Sequence, residues 1–157
     1  MEYREILINE IAEVAILYNE LAYFIQNETE DAYWDFEILS EDIVRESLST
    51  FIGNPEHKIF IARDEKKIVG FVAGEIISCH LPISSIKKVG YITGAFVLPE
   101  HRGKGVVKSL EILIIDFFKQ CGLQYVELSF ISKNTIAKKS WESMGYQTFR
   151  EQARKEI

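Results

Sequence analysis

The sequence contains few cysteines, and this argues against two classes of protein. Cys79 and Cys121 are the only cysteines among its 157 residues, too few for a disulfide framework. No Cys/His cluster has the spacing of metal ligands. We therefore expect reduced, partly buried thiols in a cytoplasmic protein that holds no metal.

Long hydrophobic runs are absent as well. No apolar segment approaches the roughly 18 to 20 residues that are needed to span a bilayer. The first five residues, MEYRE, lack the basic segment and the apolar core of a signal peptide. No repeat, linker or low-complexity segment divides the chain, so its length predicts a single domain over residues 1–157 with no membrane contact.

Basic residues are scarce at the start of the chain. Residues 1–60 carry 14 acidic side chains and three basic ones, whereas residues 61–157 carry 15 basic and 10 acidic side chains. The formal net charge of −6 argues against a nucleic-acid partner, because phosphate contacts supply most of the non-specific affinity for nucleic acids. The acidic part can attract a cation and the basic part a small polyanion. Solvated surface charge is the alternative for both.

Hydrophobic residues make up 47% of the chain, and their periodicity predicts the element order α-α-β-β-β-α-β-α-β. The predicted helices cover residues 8–25, 40–52, 105–120 and 134–144. The predicted strands cover residues 58–63, 67–78, 89–98, 124–131 and 146–153. Ser40 is expected to cap the second helix, since Glu41 and Asp42 follow it in the first turn. The pattern predicts an α/β or α+β fold in which helices cover a sheet.

One segment, residues 96–108, carries the features of an anion site. A predicted strand ends in a proline, a basic loop with two glycines follows, and an amphipathic helix begins. Unpaired backbone amides and the helix dipole favour an anion at such a helix start. Gly103 and Gly105 leave the backbone open to a phosphate. Arg102, Lys104 and Lys108 add positive charge. The spacing of a Walker loop or of a dinucleotide fingerprint is absent, and a loop that only turns a strand into a helix is the alternative.

The same segment resembles the GNAT superfamily of acyl-CoA-dependent N-acetyltransferases. Residues 102–107, RGKGVV, are similar to its signature [Q/R]-x-x-G-x-[G/A], and Val107 stands in place of the last small residue. Residues 95–99, AFVLP, resemble the strand and proline that precede the loop in the family. Residues 134–146 resemble its second motif, N-x-x-A-x-x-x-Y-x-x-x-G-F, with Trp141 in place of the tyrosine.

The resemblance implies a fold, a cofactor and a set of binding residues. The fold would be a central mixed, mostly antiparallel twisted sheet flanked by helices, and the co-substrate would be acetyl-CoA. Backbone groups of Ala95, Phe96 and Val97 would pair with the pantetheine arm. The pyrophosphate would bind at Arg102, Gly103, Lys104, Gly105, Val106, Val107 and Lys108. Asn134 would hydrogen-bond the cofactor arm, and its alternative role, capping the last helix, is compatible with this one.

Three departures from the family pattern have consequences. Val107 is expected to lower the affinity for the pyrophosphate. Trp141 replaces the tyrosine that protonates the departing thiolate, and an indole N–H is no Brønsted acid, so packing against neighbouring helix residues is the favoured alternative. Few residues follow Tyr146, so the last strand is expected to be short, missing or completed by another subunit. Completion by another subunit would make the protein a homodimer.

The expected reaction is attack of a neutral primary amine on the acetyl thioester, which requires a base. The strand positions at which the family often has a carboxylate hold Tyr91, Thr93 and Ser129, and none of these is a base at neutral pH. Glu75 and Glu127 are the remaining candidates for the base, acting directly or through water. A solvated surface position is the alternative for each.

The loop after the first helix is expected to bind the acceptor, because this loop usually forms a wall of the acceptor site in the family. It combines acidic and aromatic residues, among them Glu28, Tyr33 and Trp34, and Tyr91 is expected to join them from the sheet. Acidic groups and aromatic faces attract ammonium groups, which favours a polyamine, a lysine or a basic N-terminus as acceptor. A plain surface loop is the structural alternative. A second function also stays open, an acyl-CoA-binding module without turnover.

Overall fold

In the part of the chain that the structure describes, five strands form a single sheet, and they follow one another across it in chain order. The computed structural model describes residues 1–36 and 40–157. The strands are β1 (Glu2–Glu5), β2 (His57–Asp64), β3 (Lys67–Ser78), β4 (Lys88–Val97) and β5 (Val126–Leu128). Neighbours pair antiparallel from β1 to β4, whereas β5 runs parallel to β4. The expected mixed, mostly antiparallel sheet is confirmed.

Helices cover both faces of the sheet. They are α1 (Ile11–Thr29), α2 (Glu41–Ser49), α3 (Val106–Gln120) and α4 (Thr135–Ser143), and short 3-10 turns occur at Ile8–Glu10, Ala32–Trp34 and Pro99–His101. One core joins α1 and α2 to residues such as Phe71 and Phe96, and the other joins α3 and α4 to residues such as Val72 and Ile92. Side chains alternate between these two faces along each strand, so the core membership of a residue identifies its face.

Helix α3 packs closely on the sheet, where the strands present glycine beneath it. A β-carbon on Gly90 would lie 2.5 Å from the ring of Phe118, a distance at which something must shift. The buried residues Leu110, Ile114 and Phe118 form the apolar stripe that the sequence predicts for this helix. The close packing fixes the position of α3 on this face of the sheet.

The two ends of the chain differ from the predicted element order. Strand β1 was not predicted, and it pairs with β2 from Glu2↔Arg63 to Glu5↔Phe60. Its four residues are too few to show a periodicity. The last strand of the predicted order, at residues 146–153, is missing, which is one of the three outcomes expected for it, since this segment has no regular structure. Residues 147–157 are all exposed, and the segment pairs with none of the strands in residues 1–36 and 40–157.

None of the helices in residues 1–36 and 40–157 is long and apolar enough to cross a bilayer. No group of three His, Cys, Asp or Glu side chains in these ranges is arranged to hold a metal ion. Cys79 and Cys121 are both free thiols, the first partly buried and the second exposed.

Candidate active site

Strands β4 and β5 are paired at one end and separate at the other. Their parallel register runs from Gly90↔Val126 to Ile92↔Leu128 and ends there. Strand β4 continues to Val97 and stays paired with β3 as far as Gly70↔Val97. Its opposite edge, residues 93–97, therefore has no strand partner within the described part of the chain. The sequence-predicted residues Ala95, Phe96 and Val97 lie on this open edge, where an extended ligand can add as a further strand.

A bulge marks the point at which the two strands separate. The register between β3 and β4 shifts between Ala73 and Gly74, because Ala73 pairs with Gly94 whereas Gly74 pairs with Ile92. Thr93 is the extra residue on β4. A bulge increases the local twist and bends its strand. It therefore turns β4 away from β5 at the start of the open edge.

The loop after β4 presents unpaired backbone amides. Gly103 has φ of 71° and Gly105 has φ of 76°, both in the left-handed region that favours glycine. Gly105 is the N-cap of α3 and supplies no side-chain cap, and the first helical hydrogen bond runs from Ser109 N to Gly105 O at 3.0 Å. The amides of residues 106–108 thus have no partner inside the helix.

Open space surrounds these two glycines, which fits a bound phosphate group. A β-carbon built on Gly103 or Gly105 would meet no atom within 4 Å. Lys104 and Lys108 are exposed beside the loop, and the first turn of α3 carries no acidic residue. The predicted loop residues Gly103 to Lys108 are thus brought together around one helix start. This is the geometry of an anion site.

The side chain of Arg102 holds the loop in place, a role that the sequence did not indicate. Its Nε donates a hydrogen bond of 2.9 Å to the carbonyl oxygen of Val97. Its guanidinium lies over the rings of Phe24, at 4.7 Å, and Phe96, at 5.3 Å. The side chain therefore fastens the loop to the end of β4 and to α1.

Asn134 lies at the start of α4 and is buried, with 7% of its surface exposed. Its side-chain oxygen accepts a hydrogen bond of 3.0 Å from Ala137 N, so the predicted capping role is confirmed. The side-chain nitrogen is the remaining donor of this amide.

Both candidate carboxylates lie in one row that crosses the sheet. The register pairs His57 with Glu75, Glu75 with Tyr91, and Tyr91 with Glu127, across β2, β3, β4 and β5. Because adjacent strands are about 4.8 Å apart, Glu75 and Glu127 flank Tyr91 at about one strand spacing each. The neighbours of Glu75 and Glu127 along their strands belong to the α3/α4 core, so the row faces α1 and α2. It lies one residue before the strands separate.

Two hydroxyl groups adjoin this row. Tyr91 Oη and Ser129 Oγ share a hydrogen bond of 2.7 Å across the separating strands. Tyr18 reaches the bulge from α1, and a β-carbon on Gly94 would lie 2.7 Å from its hydroxyl oxygen. Burial raises the pKa of Tyr18, a hydrogen bond with Thr93 opposes this, and the charge of Glu75 raises it further. Tyr18 falls within the helix predicted over residues 8–25, where nothing in the local sequence distinguishes its hydroxyl.

The loop predicted to bind the acceptor holds a cation from the chain itself. The guanidinium of Arg154 donates hydrogen bonds of 2.9 Å and 2.6 Å to the two carboxylate oxygens of Asp31. The same group lies 4.3 Å from the centre of the Tyr33 ring. Asp31 also accepts a hydrogen bond from Tyr33 N. The bonds from Arg154, which are the larger cause, and from Tyr33 N lower the pKa of Asp31 to about 2.

The residues predicted to bind the acceptor differ in their exposure and in the element to which they belong. Tyr33 is 80% exposed, whereas Trp34 is partly buried and its carbonyl oxygen accepts a hydrogen bond of 2.8 Å from Gln26 Nε2. Glu28 was predicted in the loop, and this is wrong because α1 continues to Thr29. Glu28 is an exposed residue of its last turn.

Two cavities occur away from this region. One of about 460 Å³ lies between the start of α1 and α2, next to Ile8 and Arg45. Another of about 340 Å³ lies beneath the loop between β3 and β4, next to Cys79 and Pro82. Neither includes a residue of the row or of the glycine loop. The open strand edge and the helix start thus define the candidate site.

Comparison with known proteins agrees with this geometry. Residues 18–146 match the family described as acetyltransferase (GNAT) family, which is most of the chain. The chain belongs to the GNAT family. No curated protein matches its sequence.

Solved structures of low sequence identity share the GNAT fold of this chain. A mutant of the BH1408 protein from Bacillus halodurans has a TM-score of 0.87 at 21% identity, covering 100% of this chain and 99% of that one. Aminoglycoside 6'-N-acetyltransferase AAC(6')-IG from Acinetobacter haemolyticus has a TM-score of 0.80 at 16% identity, covering 100% and 98%. A predicted acetyltransferase from Clostridium acetobutylicum, crystallised with acetyl-CoA, has a TM-score of 0.80 at 15% identity, covering 99% and 95%.

Membership of the GNAT family makes acetyl-CoA the co-substrate, and the site fits it. The open edge of β4 suits an extended arm, and the bare amides at α3 suit a diphosphate. Family membership likewise supports acetyl-CoA-dependent N-acetyl transfer as the general activity.

Trp141, at the position of the family's tyrosine, lies in the core between the sheet and α3/α4. It is 8% exposed, and its ring meets Tyr146 edge-on with centroids 5.3 Å apart. Tyr146 donates a hydrogen bond of 3.2 Å to Glu111 Oε1, and burial together with that carboxylate raises its pKa. These contacts favour the packing interpretation of Trp141.

Proposed function

We propose that this protein transfers the acetyl group of acetyl-CoA to a primary amine that carries positive charge. The observation that supports this most is the row of carboxylates beside the open edge of β4. Glu75 and Glu127 belong to different strands, and the register puts them on the same face, one residue before β4 and β5 separate. A base beside the thioester is what the reaction requires.

Acetyl-CoA supplies a thioester whose acetyl group is open to a nucleophile. The backbone of residues 95–97 would bind its extended arm, and the amides of residues 103–108 would hold its diphosphate. The side-chain nitrogen of Asn134 would donate to the arm, since the oxygen already caps α4. Arg102 would contribute by holding the loop in place, because its Nε is engaged by Val97.

Glu75 is the base that we propose for the acceptor amine. An alkyl ammonium has a pKa near 10.4, so near neutral pH it must lose a proton before it can attack. The carboxylate takes this proton directly or through water, and Glu127 is the second candidate. Tyr91 lies between the two and would orient the acceptor.

Trp141 has no proton to give to the leaving thiolate. A thiol comparable to free cysteine has a pKa near 8.5, so the thiolate can leave as an anion near neutral pH. Positioning of both substrates then supplies much of the rate enhancement.

The acceptor would be cationic because Asp31 and Tyr33 already hold a guanidinium. A bidentate carboxylate below an aromatic face recognises cations of this kind. A polyamine, a lysine side chain or a basic N-terminus carries such a group. The solved structures of aminoglycoside acetyltransferases, at 15–17% identity, are compatible with a polycationic acceptor.

The cofactor site is tested with Gly105→Glu and a matched control, Gly122→Glu. Both glycines have φ of 76° and open space around them, at opposite ends of α3. The strain of the two changes is therefore similar, but only Gly105→Glu brings bulk and negative charge to the proposed diphosphate. Calorimetry with acetyl-CoA should show near wild-type affinity for the control and at least about a hundredfold loss for Gly105→Glu. Equal affinities would exclude this loop as the binding site.

Turnover is tested by release of coenzyme A thiol over a panel of amines. A diamine should react at least about tenfold faster in kcat/KM than the same diamine with one nitrogen acylated, which has lost one charge. Tight binding of acetyl-CoA without thiol release for any amine would instead identify an acyl-CoA-binding module.

A further inference from the structure

His57 lies beside the proposed base, although sequence analysis gave it no role. It is the first residue of β2 and pairs in register with Glu75 of β3. Its Nε2 is 3.6 Å from Glu75 Oε2, and the two side chains are 26% and 31% exposed. Both side chains are thus partly exposed and largely enclosed by protein.

The other ring nitrogen of His57 is enclosed by protein. This nitrogen, Nδ1, is buried and has no hydrogen-bond partner among residues 1–36 and 40–157. The ring of Phe51 packs against it, with centroids 4.9 Å apart and planes tilted by 56°. Because Nδ1 has no acceptor in the described part of the chain, a hydrogen on Nε2 is the arrangement that leaves no buried N–H unpaired there. That hydrogen faces Glu75.

The carboxylate that adjoins His57 in the chain is paired with another residue, whereas Glu75 lies next to the imidazole. Glu56 precedes His57 in the chain, but its carboxylate binds Lys88 Nζ, which lowers its pKa, with a smaller contribution from His57. Tyr18, from α1, interacts with the Glu75 charge. Glu75 is therefore flanked by an imidazole and a phenol, whereas no such imidazole pairs in register with Glu127.

We infer that His57 is a positioning residue that acts on acetyl transfer through Glu75. The inference rests on the proposed function, in which Glu75 receives the proton of the amine. A hydrogen bond that forms from Nε2 to one carboxylate oxygen once substrates bind would fix the Glu75 rotamer and leave the second oxygen for the acceptor. The distance of 3.6 Å is longer than a hydrogen bond, and such contacts commonly shorten when substrates bind.

The test compares two substitutions of His57. His57→Phe keeps an aromatic ring against Phe51 but removes both nitrogens. His57→Gln keeps a donor near the position of Nε2. We expect His57→Phe to lower kcat about tenfold with little change in KM, as for one lost hydrogen bond to a charged group, and His57→Gln to stay within about threefold of wild type.

A double-mutant cycle then asks whether the effect passes through Glu75. In a Glu75→Gln background His57→Phe should lower kcat by less than about twofold, whereas in a Glu127→Gln background the tenfold loss should persist. Thermal melts of each variant report stability, which a merely structural role would change equally in all backgrounds.

Each other outcome overturns the inference. It is wrong if the losses of His57→Phe and Glu75→Gln simply multiply, or if His57→Gln is as slow as His57→Phe. It is also wrong if wild-type protein acetylates no amine, and only that last result would overturn the proposed function as well.

Discussion

At the scale of single residues, we expect Trp141 to contribute to the stability of the core and not to proton transfer. Its ring lies in the core against Tyr146, and its N–H is not acidic at neutral pH. We therefore expect Trp141→Phe to keep kcat/KM within about tenfold of wild type while losing about 1 to 3 kcal/mol of stability. Trp141→Tyr should be neutral or faster, because it restores the phenol of the family motif in a pocket that accepts an aromatic ring.

The measurement is kcat/KM on the best amine found, together with thermal melts of both variants. A loss above about a thousandfold in folded Trp141→Phe would exceed any hydrogen-bond effect and would give the indole a catalytic role.

At the scale of elements, Glu10 ties the start of α1 to β1 and β2. Its carboxylate accepts hydrogen bonds from Arg4, Arg63 and the amide of Leu7, at 2.7 to 2.9 Å. Its side chain is 6% exposed, and Arg4, the largest cause, lowers its pKa from 4.5 to about 2. A carboxyl group with a lowered pKa in the folded state stabilises the protein above its unfolded pKa, and this contribution disappears as the pH falls through the folded value.

Glu10→Gln should therefore lower the free energy of unfolding by about 2 to 3 kcal/mol at pH 7. The difference from wild type should shrink between pH 4.5 and about pH 2. Glu13→Gln is the matched control, since Glu13 also contacts Arg63, at 3.2 Å, but is 46% exposed. Urea unfolding at several pH values provides the comparison, with an effect below about 1 kcal/mol expected for the control. A pH-independent loss in Glu10→Gln would contradict the assignment.

At the scale of the whole molecule, the segment after α4 links distant loops. The ring of Phe149 packs against His80, with centroids 5.8 Å apart, and Arg154 binds Asp31. If Asp31 and Tyr33 bind the acceptor cation as proposed, Arg154 competes with that cation for the same groups.

Arg154→Ala should then lower KM for a diamine by about threefold to tenfold, and Asp31→Asn should raise it by a similar factor. Arg150→Ala serves as the control, because Arg150 is exposed and its guanidinium lies 6.0 Å from the Phe149 ring, away from Asp31. Steady-state kinetics with a diamine and with a neutral amine make the measurement. An unchanged KM in both Asp31 and Arg154 variants would place the acceptor elsewhere.

Features written in local sequence could be predicted without the structure. Ser40 caps α2, where its side-chain oxygen accepts from Ile43 N, and Asn134 caps α4. The buried stripe of α3 and the glycine loop before it follow from periodicity and from residues that tolerate positive φ. These features depend on neighbours within about four residues, so the sequence determined them, together with the order of the central elements and the family.

Only the tertiary structure decided which distant groups meet. The row from His57 to Glu127 arises from pairing between four strands, and a shift of one residue in any register would turn its side chains to the other face. Arg102 meets Phe24 and Val97, and Arg154 meets Asp31 across 123 positions of sequence. Residues 146–153 form no strand although their sequence allows one, because a strand exists only where another supplies its hydrogen bonds. Local propensity sets which elements are possible, and pairing and packing set which of them form and what they bring together.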